Sequence, residues 1–259
     1  MFWKKTVVSV CIAALAAIAV AGCGKHVKAA VYTYEENDEG KLVITGLTDK
    51  GKEDMVLKVP ASIDGKEVIG IGSGAFREDT KVTEVVIADG ITYVSENVFL
   101  NCYNLKTIDI PESVKTIGTN TFTGTEWEYQ IFKDKDEVVV NDILCAVNKD
   151  EGSYIVPDGV VTIASGVFYN KTGITSVDIP DSVEEIGTYA FSGCTGIEKI
   201  ELPSGLKRIG YGAFANMSLK NMNVPAGVDS IGNEAFLGIS EINYKGKAQG
   251  SPWGADTVQ

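Results

Sequence analysis

The sequence predicts a solenoid, one supersecondary unit stacked on copies of itself, and three periodic features predict it. Seven of the nine phenylalanines, Phe76, Phe99, Phe122, Phe168, Phe191, Phe214 and Phe236, fall at steps of 23, 23, 46, 23, 23 and 22 residues. Six of the seven prolines, Pro60, Pro111, Pro157, Pro180, Pro203 and Pro225, hold one phase of the same period. Glycine recurs alongside them at Gly72, Gly118, Gly187, Gly210 and Gly232. A buried aromatic returning at such a period means units that bury their apolar faces only against their neighbours.

Within one unit the elements follow from local chemistry. In Leu105-Lys106-Thr107-Ile108-Asp109-Ile110-Pro111, the apolar Leu105, Ile108 and Ile110 point into the stack while Thr107 and Asp109 face out. That alternation is strand periodicity. Proline then ends the strand, because it has no N–H to donate to a ladder. A second apolar pair, Val114 and Ile117, faces inward from the opposite side, and the recurrent glycine at Gly118 marks a corner needing positive φ or close backbone approach. The turn through Thr121-Phe122 brings the chain back.

The phrase Ile179-Pro180-Asp181-Ser182-Val183-Glu184-Glu185-Ile186-Gly187-Thr188-Tyr189-Ala190-Phe191-Ser192-Gly193-Cys194 resembles the BspA-like leucine-rich repeat of bacterial surface proteins. The likeness covers roughly residues 55 to 245. It implies a leucine-rich-repeat solenoid with a parallel sheet on one face and short strands, turns or 3₁₀ segments on the other. It also implies a cell-surface or host-associated binding role, such as adhesion.

Two places depart from the repeat. Between Phe122 and Phe168 the chain reads Glu126-Trp127-Glu128-Tyr129-Gln130-Ile131-Phe132 and then two valine-rich runs around Asn141-Asp142, which predict a hairpin. The two-period length predicts an irregular rung over 123–156, with Cys145 in the phenylalanine slot. The units also shorten after Phe214 and Phe236. Open ends of a stack need covers. Residues 31–59 predict an N-terminal capping hairpin, residues 60–243 carry the repeats, and residues 244–259, with Trp253 as lid, predict a C-terminal cap.

Residues 1–22 read as a processing segment, with Lys4 and Lys5 ahead of an apolar stretch, Val7 to Gly22, that is short for a membrane span. Val20-Ala21-Gly22-Cys23 resembles a bacterial lipobox, which implies cleavage before Cys23, lipidation of its sulfur and retention at the membrane. The tether over 23–30 spans about 20–25 Å at full extension, so the module is expected to work close to its membrane. Cys102 and Cys194 lie four rungs apart, roughly 19 Å at the strand spacing, which is too far for a disulfide. They are expected as buried apolar residues. His26, the one histidine, falls in the tether.

Removing Lys4 and Lys5 takes the formal net charge from −12 to −14. So acidic a chain is not expected to bind nucleic acid or anionic headgroups. The outward strand positions form two columns, with side chains on neighbouring strands about 5 Å apart except across the irregular rung. One runs Glu84, Thr107, Ser176, Lys199, Asn221 and Glu241; the other runs Val86, Asp109, Asp178, Glu201, Asn223 and Asn243. They offer a face for a cationic or hydroxyl-rich ligand, or are polar simply because they meet water. No metal site is assigned; Ca²⁺ bridging Asp178 and Glu201 is the sharper alternative. Trp127, Tyr129 and Phe132 are either binding anchors in the irregular rung or fillers of the gap left there.

Catalysis is not expected. A lone histidine removes triads and histidine-rich metal sites, no Gly-rich phosphate loop is present, and carboxylates on a flat solvated face lack the cleft that separates their pKa values. The expectation is a monomeric, lipid-anchored, extracytoplasmic module that binds a protein or polysaccharide of the envelope or a host surface through its strand face, without cofactor. The alternative is an envelope assembly protein acting through its ends or convex face.

Overall fold

The computed structural model describes residues 31–259. The processing segment, Cys23, the tether and His26 lie outside the described residues. The described residues form a solenoid whose regular rungs contribute strands to two parallel arrays, with little helix.

Strands β1 (Tyr32–Glu36) and β2 (Leu42–Leu47) form an antiparallel hairpin. A 3₁₀ turn at Gly51–Glu53 leads to β3 (Val56–Val59), β4 (Ser62–Ile63) and β5 (Lys66–Ile71), and β2 pairs parallel with β5. The regular rungs then begin: β6 (Glu84–Ile87), β7 (Tyr93–Val94), β8 (Thr107–Asp109) and β9 (Thr116–Ile117). The wider strands pair in the order β3-β6-β8, while the two-residue strands continue the other array as β5-β7-β9. Side chains such as Val85, Ile108, Val94 and Ile117 fill the space between the arrays.

The phenylalanines occupy the turn that closes each rung. Phe76, Phe99 and Phe122 stack at ring-centroid distances of 5.6 and 6.3 Å, and Phe168, Phe191, Phe214 and Phe236 at 4.9, 5.4 and 5.9 Å. The turn needs two residues at positive φ, two before and two after the aromatic: Asn97 and Asn101 in one rung, Gly166 and Asn170 in another. Asparagine and glycine suit that region. The recurrent corner glycines do not have positive φ; they are required by close approach, since a Cβ on Gly187 would lie 2.6 Å from Ser165 N. The repeat's serines and cysteines also have work to do. Ser113 and Ser182 hydroxyls donate to the Ile91 and Val160 carbonyls of the rung before, and the Cys102 and Cys194 thiols to the Phe76 and Phe168 carbonyls.

The irregular region contains α1 (Glu126–Ile131), then β10 (Glu137–Val140) and β11 (Ile143–Val147) as an antiparallel hairpin. Helix α1 stands where a wider strand is expected. Cys145 is not in the phenylalanine slot: it sits one residue past Leu144, which pairs with Ile163, whereas Phe168 lies five residues past Ile163. Tryptophan and tyrosine close the gap instead, Trp127 against Phe122 at 4.8 Å and Tyr154 against Phe168 at 5.4 Å. On the turn side the region adds no turn of its own, so Thr119 Oγ1 donates directly to the Ser165 carbonyl at 2.9 Å.

Regular pairing resumes with β12 (Glu151–Ile155), β13 (Thr162–Ile163), β14 (Gly173–Asp178), β15 (Glu185–Ile186) and β16 (Arg208–Ile209), followed by β17 (Asn221–Asn223), β18 (Ser230–Ile231), β19 (Glu241–Asn243) and β20 (Thr257–Val258). The narrow strands run unbroken as β11-β13-β15-β16-β18. At the C-terminal end Trp253 is buried beside Tyr244 at 5.5 Å, and its carbonyl accepts from Phe236 N.

Candidate functional site

The wider-strand array faces solvent with every second residue, as the pleat requires. Glu84, Thr107, Asp109, Ser176, Asp178, Asn221 and Asn223 are all exposed there, and Glu241 and Asn243 are half-exposed. Register places Glu84 beside Thr107, Val86 beside Asp109, Asn221 beside Glu241 and Asn223 beside Asn243. The Asn243 amide donates to Asn223 Oδ1 at 3.1 Å.

The two columns are interrupted at the irregular rung, as expected, and at a second place as well, which corrects the sequence expectation. The array falls into three pieces, β3-β6-β8, β12-β14 and β17-β19-β20. The first break is made by α1. The second lies at Glu198–Leu202, which forms no strand, so Lys199 and Glu201 pair with neither β14 nor β17. Ile200 is still buried, which keeps the segment in the stack. Lys199 Nζ instead lies 2.6 Å from Glu201 Oε1. That contact raises the lysine pKa and lowers the carboxyl's, and it occupies one of the two groups offered for Ca²⁺. On either side of the segment are open depressions. One, of about 350 Å³, is lined by Ser176, Asp178, Asp181, Lys199, Glu201 and Ser204. The other, of about 460 Å³, is lined by Lys199, Glu201, Asn221 and Asn223.

Sequence reasoning also passed over strand-face members. Ser153 is in register with Ser176, and Ile155, 70% exposed, with Asp178. Their strand lies inside the region expected to be irregular, which hid them. Lys58 and Thr257 join the face by pairing with Val86 and Glu241.

The three aromatics of the irregular rung divide. Trp127 and Phe132 pack on the core. Tyr129 points outward, 60% exposed, with Lys133 Nζ 4.6 Å from its ring centroid. The helix beneath them starts at Thr125, whose hydroxyl accepts from Glu128 N at 3.1 Å. Glu128 is buried, and burial raises its carboxyl pKa.

A further feature lies on the turn edge of the C-terminal rungs. Tyr169, Tyr189 and Tyr211 are 53%, 39% and 37% exposed and touch edge-to-face in sequence, at 6.2 and 5.2 Å. The Tyr211 hydroxyl donates to Glu234 Oε2.

With that geometry in hand, comparison with known proteins decides the family. The BspA type leucine-rich repeat region matches in six copies over residues 62–143 and 156–246, most of the chain. The chain belongs to this family. No curated protein matches it. Solved structures of bacterial leucine-rich repeat proteins are similar at low identity. One from Bacteroides ovatus is 22% identical, over 88% of this chain and 69% of that one, with a TM-score of 0.37. A T. pallidum leucine-rich repeat protein is 18% identical, over 89% and 91%, with a TM-score of 0.42. A leucine rich cell surface protein from Faecalibacterium prausnitzii is 20% identical, over 82% and 86%, with a TM-score of 0.39. Membership is consistent with a binding or structural module.

Proposed function

We propose that the chain is a membrane-anchored, extracytoplasmic, non-catalytic module that binds a protein or polysaccharide ligand through its wider-strand face. The observation that carries this reading is the display itself: within each of three pieces, register sets polar residues on neighbouring strands, Glu84, Thr107 and Asp109, then Ser176 and Asp178, then Asn221 and Asn223, all exposed to solvent. Shallow contacts spread over several rungs suit a large ligand, and the acidic balance favours a cationic or hydroxyl-rich one over nucleic acid. Anchoring rests on the Val20-Ala21-Gly22-Cys23 phrase. Metabolic labelling with a fatty-acid analogue checks it: label is expected on the parent and absent from Cys23→Ser, and label retained by that variant rules the anchor out.

Binding is tested by crosslinking capture from envelope and host-surface extracts with the chain and with a folded Asp109→Ala, Asp178→Ala, Glu201→Ala variant, one change in each of the first two parts of the face and one in the unpaired segment before the third. A partner held by the parent and lost by the variant supports the reading. A partner held equally by both moves the site to α1 or the solenoid ends, where an assembly role is the better account.

A further inference from the structure

The turn edge of the C-terminal rungs carries a second surface, marked by its backbone conformation. The residue two places before each spine phenylalanine has positive φ in every rung: Gly74, Asn97, Asn120, Gly166, Tyr189, Gly212 and Glu234. Glycine and asparagine take that conformation readily, whereas a bulky side chain there is an outlier. Five of the seven positions obey the rule. The two exceptions, Tyr189 at φ 53° and Glu234 at φ 55°, meet at one place, because both flank Tyr211. Gly212 completes the arrangement, since a Cβ on it would collide with the Tyr189 ring.

Neither exception serves the core. Tyr189 is 39% exposed and Glu234 is exposed, while the spine ring of the tyrosine's rung, Phe191, is fully buried. A strained position held by an exposed aromatic points to function rather than folding. The row is also directional. Tyr169, Tyr189 and Tyr211 come one per rung along the solenoid axis, 6.2 and 5.2 Å apart, so a ligand lying along them must itself be a chain of repeating units.

We propose that Tyr169, Tyr189 and Tyr211, whose rings stand edge-to-face rather than coplanar, form an aromatic ridge that contacts a neutral linear polysaccharide, with Glu234 accepting from a sugar hydroxyl at one end of the row. The electron-rich ring faces attract the weakly positive axial C–H groups of pyranose rings, and the phenols supply hydroxyl partners along the chain. Glu234 has acceptor positions beyond the one Tyr211 uses. The row itself is uncharged, three phenols whose one carboxylate neighbour, Glu234, already accepts from Tyr211, which suits a neutral ligand; a lysine decamer tests the polycation. An anionic polymer would meet a chain of net charge −12. This surface stands apart from the wider-strand face and does not depend on it.

The test uses the full chain in calorimetric titrations with three probes: a β-1,4-linked glucose hexamer, a β-1,4-linked N-acetylglucosamine hexamer and a lysine decamer. Tyr189→Gly removes the ring and relaxes the backbone, so its midpoint temperature should equal or exceed the parent's, which separates lost binding from lost folding. The expected result is that a neutral hexamer binds the parent, that Tyr189→Gly weakens it about tenfold or more, and that the strand-face triple variant binds it like the parent. Absence of binding by both hexamers, equal binding by the parent and Tyr189→Gly, or binding of the lysine decamer alone would each overturn the assignment.

Discussion

Phe191 lies between Phe168 and Phe214, ring to ring at 4.9 and 5.4 Å, with no exposed surface. Truncating it leaves a cavity in the middle of a stack that cannot collapse, because the neighbouring rungs are held by their ladders. Phe191→Ala is therefore expected to cost about 3–5 kcal/mol in denaturant unfolding. The cysteines make a second residue-scale prediction. Burial pushes the Cys102 thiol up to about 12 and the Cys194 thiol up to about 11, and both donate to carbonyls. At about pH 8 neither should be alkylated in the folded protein, while both should react after denaturation, as peptide mass spectrometry would show. The spine and these cysteines were legible in the sequence because they keep one phase. The tyrosine row was not, because its members drift against that phase: Tyr169 is one residue after its phenylalanine, Tyr189 two before and Tyr211 three before.

Helix α1 is the element that breaks the wider-strand face, and its start had a readable signal. Thr125 and Glu128 have the spacing of a capping box, and the threonine hydroxyl does accept from the Glu128 amide. The aromatic content of the segment drew attention to filling or binding instead, while the capping pattern carried the conformation. The Glu128 carboxyl accepts from Gly124 N at 3.2 Å, yet burial outweighs that bond and raises its pKa. A carboxyl raised in the fold leaves the folded state at its best below the ordinary carboxylate range, and stability is lost as pH rises through the folded pKa. Glu128→Gln keeps the acceptor for Gly124 without the charge. Its midpoint temperature should exceed the parent's at about pH 7.5, and the difference should vanish at about pH 3.5. A lower midpoint at both would mean that the ionised carboxylate stabilises the helix. The segment Glu198–Leu202 was not legible as a break at all. Its sequence, Glu198-Lys199-Ile200-Glu201-Leu202, keeps the strand alternation, and Ile200 is buried as the pattern requires; only the backbone pairing is missing.

At the scale of the molecule, the narrow strands and aromatic spine give a stiff stack on which the wider strands present polar residues at a fixed pitch. The stack has one internal seam. The spine stops at Trp127 and restarts at Tyr154, and on the turn edge Thr119 meets Ser165 across 46 residues of sequence. The repeat pattern made the fold class readable from end to end, since each regular rung repeats the same Pro, Gly and Phe constraints. Beyond the break expected at the irregular rung, it did not reveal the second division of the display at Glu198–Leu202, because that division depends on ladder pairing rather than on which residues point outward. Binding by the wider-strand face is the property on which the proposed function stands. The most direct test is a hydrogen-exchange footprint of the chain with its captured ligand. The account predicts protection concentrated at residues 84–87, 107–109, 176–178 and 221–223, with the triple variant losing it. Protection confined to residues 126–132 or to the turn around Trp253, with the strand face unchanged, would contradict it.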